Sequence, residues 1–228
     1  MQYSCNHYSN LESVGEFAIG LMKPQAANEQ LHAGLFFRDE SGDLRVLHLA
    51  FHYDLQLSIP DTRYVWIDAS LDDFSKKHLA SVCIEVFENN PEGIPYSISR
   101  EGAHLSEAGI FCADYPYSGL TCSTFVMEFL HSQGYHFIDS EKWLKTPEDK
   151  VWQKMIVQVL ESHSDASSQY IEDQRKQLER GVSRFTPEEV CAAAGSPQED
   201  WPVGRFQVKS NAKVLKRYVK RHRHDEKH

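Results

Sequence analysis

The stretch LHAGLFFRDESGDLRVLHLA, residues 31–50, sets two runs rich in Leu, Val and Phe on either side of RDESGD, whose Asp, Ser and Gly are turn formers. It reads as a β-hairpin. The second run continues into FHYDLQL, and TRYVWIDA, 62–69, supplies a third strand of the same character. With helical patterns on either side, the class is α+β, with a short antiparallel sheet. If the turn centres near Ser41, residue 48 lies roughly opposite residue 34 and diagonal to residue 32. His32 and His48 then share one face of the hairpin.

Upstream, SNLESVGEFAIGLM places Leu11, Val14, Phe17 and Leu21 at helical spacing after a Ser/Asn cap, which predicts a short helix. Downstream, Ser70 caps a segment with Leu71, Phe74, Val82, Val86 and Phe87 mainly on one helical face, and NNPEG stops it. IPYSI and GIFCADYPY read as short strands or extended loop. In GLTCSTFVMEFL, residues 119–130, Cys122 begins a helix marked by Phe125, Val126, Phe129 and Leu130 that ends near Gly134. Beyond residue 140 the texture is helical, from Pro147, through SSQYIEDQRKQLERGVSRF, to TPEEVCAAAG with Pro just inside its start. The expected organisation is a catalytic-size domain over 1–140, a helical extension over 141–204 and a basic tail over 205–228.

Hydrophobic residues make up 41% of the 228, enough for an ordinary core. From Arg205 onward nine Lys/Arg face two acidic residues, a local +7, so the total of −9 leaves −16 on the first 204 residues. An acidic body does not invite nucleic acid, and the tail reads as a solvated charged terminus, folded back on that body if it is folded at all. The start of the chain shows no basic leader before an apolar run, and no window approaches the ~20 apolar residues of a membrane span. The expected compartment is the cytoplasm, and export without a cleavable signal would leave no mark. Cys5, Cys83, Cys112, Cys122 and Cys191 are odd in number and form no Cys-x-x-Cys pair, so reduced thiols are expected.

A cysteine at a helix start meets unpaired backbone N–H groups and the positive end of the dipole, which stabilise a thiolate. Nucleophilic use also requires a base, most often histidine, oriented by a third polar group. Cys122, His32 and His48 meet this description. His52 and Asp54 compete with His48 for the third position, since strand parity places residues 48, 50, 52 and 54 together and a carboxylate holds an imidazolium better. Tyr117 is a candidate donor to an oxyanion. His48-x-x-x-His52 has the spacing of a helical metal pair but falls in strand without a third ligand, and RHRH in the tail is a weak metal tract. No metal or cofactor is expected, and neither a phosphate-binding glycine loop nor a Gly-x-Ser-x-Gly elbow occurs.

LHAGLFFRDESGDLRVLHLA followed by GLTCSTFVMEFL resembles the circularly permuted papain-like hydrolases, the group of permuted NlpC-type peptidases and relatives of lecithin–retinol acyltransferase. The resemblance covers about residues 30–135. In that group a strand begun by histidine comes first, a hairpin returns with a polar third residue, and the cysteine starts a later helix. Matched residue by residue, it implies His32 as base, His48 as third residue and Cys122 as nucleophile, with GIPYSI similar to a Gly-x-Pro-Tyr stretch that precedes the cysteine. Thr121 stands where the acyltransferase branch has Asn, and is a candidate pocket residue. The implied fold is a permuted papain-like domain whose sheet packs on the cysteine helix. The implied activity is hydrolysis of a peptide, isopeptide or cell-wall amide through a thioester. The alternatives are a thiol acyltransferase or lipase, and a non-catalytic binding or immunity-type module. Expected partners are a peptide, amide or acyl substrate and a protein partner for the C-terminal helices.

Overall fold

A computed structural model describes residues 7–24 and 30–225, so Cys5 lies outside the described residues. Eight strands appear in chain order: β1 (His7–Tyr8), β2 (Phe17–Met22), β3 (His32–Arg38), β4 (Leu44–Phe51), β5 (Asp54–Ser58), β6 (Val65–Ile67), β7 (Ala103–Leu105) and β8 (Phe111–Ala113). The first six form one sheet in the order β1-β6-β2-β3-β4-β5, antiparallel throughout, and β7 and β8 pair separately. Six helices complete the fold: α1 (Asp73–Asn89), α2 (Cys122–Ser132), α3 (Pro147–Glu161), α4 (Ser168–Arg180), α5 (Pro187–Ala194) and α6 (Arg205–Asp225). The class is α+β.

The hairpin is β3 and β4, and its register of Leu35 to Leu47 through Arg38 to Leu44 continues the line on which residue 34 faces residue 48. Asp39 builds the turn. Its carboxylate accepts the N–H groups of Ser41 and Asp43, and Gly42 takes φ +82°, where a side chain would be strained. Alternation then divides the faces. Ala33, Leu35, Phe37, Leu47 and Leu49 enter the main core with α1 and α2, while Phe36 and Val46 join Val14, Ala18, Tyr64 and Trp66 in a smaller cluster on the other side.

Two local expectations are corrected. The helix expected over the stretch that includes Leu11, Val14, Phe17 and Leu21 is a single 3-10 turn (Leu11–Ser13) followed by β2. Phe17, Ala18, Ile19 and Leu21 are buried on both faces of the sheet, so a central strand has produced a continuous apolar run that mimics helical spacing. Asp72 rather than Ser70 caps α1: its side chain accepts the Ser75 N–H, while the Ser70 N–H is spent on Ala194.

The main core extends without a break into the C-terminal helices, taking in Trp152, Ile156, Tyr170, Val190 and Leu215. The stretch 205–225, expected as a solvated charged terminus, is helix α6. Val208, Ala212, Leu215 and Val219 form its buried stripe, and Arg205 bonds Asp149 of α3 and Glu189 of α5. The arginine is nearly buried with both carboxylates, a geometry in which removing one partner strands a charge. No helix among the described residues is long and apolar enough to cross a membrane.

Candidate active site

Cys122 occupies the first residue of α2. Thr121 is the N-cap: its side chain accepts the Thr124 N–H, and its own N–H is held by Thr124 Oγ1 at 2.7 Å, a reciprocal capping box. Thr121 therefore fixes the helix start on which the thiol depends. The backbone N–H groups of Ala33 and Ser123 and the Tyr96 hydroxyl lie near enough to the sulfur to favour its thiolate. Ala33, the strand residue near the thiol, directly follows His32 in the chain. Burial pushes the Cys122 thiol up, outweighing these donors and the nearby Arg184 guanidinium.

His32 and His48 are joined directly. Nε2 of His32 lies 2.9 Å from Nδ1 of His48, with the rings edge to face. A bond through Nε2 leaves Nδ1 of His32 as the nitrogen open to a thiol. Burial first, and His48 second, lower the His32 pKa to about 3. His48 is lowered by burial as well, against the pull of the Asp54 carboxylate. Both rings are accordingly neutral at pH 7, and His32 is in the state a general base requires.

Gly34 makes the pair possible. A Cβ there would come within 2.8 Å of Val46 Cγ2 and 3.1 Å of His48 Cβ. Gly34→Ala is expected to cost about 1–3 kcal/mol by overpacking and to displace His48 from His32. Urea unfolding would read the first effect and imidazole nitrogen shifts the second; a variant unchanged in both would contradict this role.

The two competitors for the third position separate. β4 ends at Phe51, a bulge falls between Leu49 and Phe51, and Tyr53 takes φ +56° in the turn to β5. That turn breaks the parity expected for residues 48 to 54. His52 is buried apart from the pair, against Tyr170, and its Nδ1 accepts the Tyr96 N–H at 3.0 Å. Asp54 holds Gln56, the residue paired with His48, so its carboxylate acts on His48 through space. Tyr117 packs on the core, with its ring 6.2 Å from that of Tyr170. The structure joins His32 to His48, sets Cys122 at the head of α2 near Ala33, the residue after His32, and gives Tyr117, Thr121 and His52 packing, capping and scaffolding positions.

Two residues that the sequence reading did not single out complete the site. Tyr96, in the IPYSI segment, is held at both ends: its N–H by His52, its carbonyl by the Tyr170 hydroxyl at 2.8 Å. Arg184 follows α4. Its guanidinium lies 4.2 Å above the ring of Trp152, and burial lowers its pKa despite several carboxylates nearby. Both line a cleft of about 740 Å³ with His32, closed on its far side by α3. Cys122 is 2% exposed and does not itself line the cleft, which its neighbour Tyr96 does.

No family model, curated protein or solved structure matches the chain. The site stands on its geometry. Among the described residues no group of three His, Cys, Asp or Glu is placed to hold a metal ion.

Proposed function

We propose that the protein is a thiol hydrolase on a permuted papain-like fold, cleaving an amide bond through a thioester. The observation that carries this reading is the joining of His32 to His48 on β3 and β4, with Cys122 at the head of the helix whose start meets Ala33 of β3. In the proposed reaction His32 Nδ1 takes the thiol proton as sulfur attacks the carbonyl carbon. Backbone N–H groups at the start of α2 hold the oxyanion. The C–N bond breaks, His32 returns the proton to the leaving amine, and water, deprotonated by the same nitrogen, releases the acid and restores the thiol. His48 holds the His32 ring in the tautomer with its proton on Nε2.

Because the resting thiol and imidazole are both neutral, sulfur gains nucleophilicity during attack rather than before it. Simple alkylating agents are for that reason a poor test; half-buried Cys112 would outcompete Cys122 for them. Acylation is more direct. In a Cys112→Ser background, p-nitrophenyl octanoate is expected to leave an octanoyl adduct on Cys122, detected by mass after an acid quench. The adduct should be missing from His32→Ala. Adducts distributed over other residues, or unchanged in His32→Ala, would refute the hydrolase reading.

One observation favours a second reading. A thiol that is 2% exposed and raised by burial also suits a non-catalytic binding module whose cysteine only packs. The same acylation experiment separates the two.

A further inference from the structure

Arg184 stands out among the cations around the cleft. The carboxylates nearest it are already held: Asp149 and Glu189 by Arg205, and Glu188 by Lys216 at 2.9 Å. Among the described residues no hydrogen bond or ion pair ends on the Arg184 guanidinium, which rests on Trp152 and lines the cleft together with His32. A partly buried guanidinium in that condition lacks the partner that repays its desolvation. Along the same cleft α3 presents Val151, Met155 and Val159, one helical turn apart, at 72%, 38% and 44% exposure, and Phe51 faces them. Exposed apolar side chains in a row beside a concave wall are a surface that a ligand would cover.

We propose that the cleft takes an amphiphilic anion, with an apolar chain along Val151, Met155 and Val159 and a carboxylate on Arg184. This rests on the hydrolase reading and narrows its substrate to N-acylated amino acids or short acylated peptides with a free carboxylate. The reaction is the one already balanced: the acyl carbon passes to sulfur, the amino acid leaves with the proton from His32, and water frees the fatty acid. Arg184 is a specificity residue. A planar fork suits a carboxylate, and a guanidinium-to-carboxylate bond in a drying cleft corresponds to about 10- to 100-fold in affinity. Glu148, also on the rim, carries the opposite charge and orients such a ligand with its carboxylate away from the start of α3.

The test uses the full chain with Cys122→Ala, so that binding is read without turnover. N-octanoylglycine and N-octanoylglycinamide, differing only in the charged end, are titrated by calorimetry. The acid is expected to bind about 10-fold or more tightly than the amide. Adding Arg184→Met should remove that preference while leaving the amide within about two-fold, and Arg184→Lys should restore part of it. Equal binding of the two probes, a preference that survives Arg184→Met, or no binding of either would overturn the proposal. None of these outcomes touches the acylation of Cys122 by p-nitrophenyl octanoate, which tests the hydrolase reading alone. If Arg184 instead served only to stabilise the thiolate, Arg184→Met would slow that acylation while the two probes bound equally with Arg184 already in place, which also overturns it.

Discussion

Cys122→Ala is expected to lower turnover of p-nitrophenyl octanoate by about 10⁴-fold, to the level left by binding alone. The size follows from how the site is arranged. Ala33, Ser123 and Tyr96 surround the thiol, and in the proposed reaction its proton acceptor is the neutral His32 imidazole fixed by a 2.9 Å bond to His48. Thiol and base act in one step, so His32→Ala should cost nearly as much, and the double variant little more. His48→Ala should cost less, about 10- to 100-fold, because it removes the constraint on the His32 ring and not the base. The pH profile gives an independent check. With His32 titrating at about 3, the acid limb of kcat/KM belongs well below neutrality, and a buried thiol keeps the neutral pair intact into alkaline solution. Cys122→Ala retaining more than a tenth of the rate would sink the mechanism. A rate rising through pH 6 to 7 would instead place an ordinary histidine in the base position.

The parts of this site that were legible in the sequence are those set by local chemistry. RDESGD announces its turn because Asp39 and Gly42 do there what such residues do anywhere, and once the turn is placed, strand geometry brings His32 to His48. Thr121 before Cys122 marks a helix start by the same local logic. His52 was misplaced because nothing in AFHYDL signals a turn: no Gly or Pro is present, and the left-handed residue is a tyrosine. Tyr96 came into view only within GIPYSI, as part of a resemblance and without a role, and Arg184 not at all, for another reason. Each arrives at the thiol through contacts tens of residues away in the chain, Tyr96 by way of His52 and Tyr170, Arg184 by way of Trp152. The buried stripe of α6 at residues 208, 212, 215 and 219 has helical spacing, yet it is embedded in nine basic residues whose density reads as a solvated tail.

Acidification from pH 7 to pH 4.5 is expected to remove several kcal/mol of stability, a large share of the ~5–15 kcal/mol usual for a domain. His52 and His131 carry most of it. Each has a ring nitrogen, Nε2, that is buried without a partner, and burial holds each pKa at about 4. The unfolded chain binds protons at these side chains near pH 6.5, and the folded chain does not until about 4. Between those values the unfolded state is the better proton acceptor, so stability falls as pH drops through the window. At about 1.4 kcal/mol per unit, each group contributes roughly 2.5 kcal/mol by pH 4.5, and His32, held lower still, adds about as much. Neighbours set the order of loss. His163 opposes a charge on His52 while Asp165 favours it; His131 faces Arg100 and His136, both of which oppose protonation. Carboxylates such as Asp149, held below its usual range by Arg205, lose their contribution only at lower pH, so the two processes separate. Urea midpoints measured from pH 7.5 to 3.5 should therefore fall first between 6.5 and 4.5, and His52→Gln should flatten that part of the curve. A midpoint constant down to pH 4.5 would show that these histidines are not held neutral by the fold, and with them would go the scaffold that sets Tyr96 against the thiol.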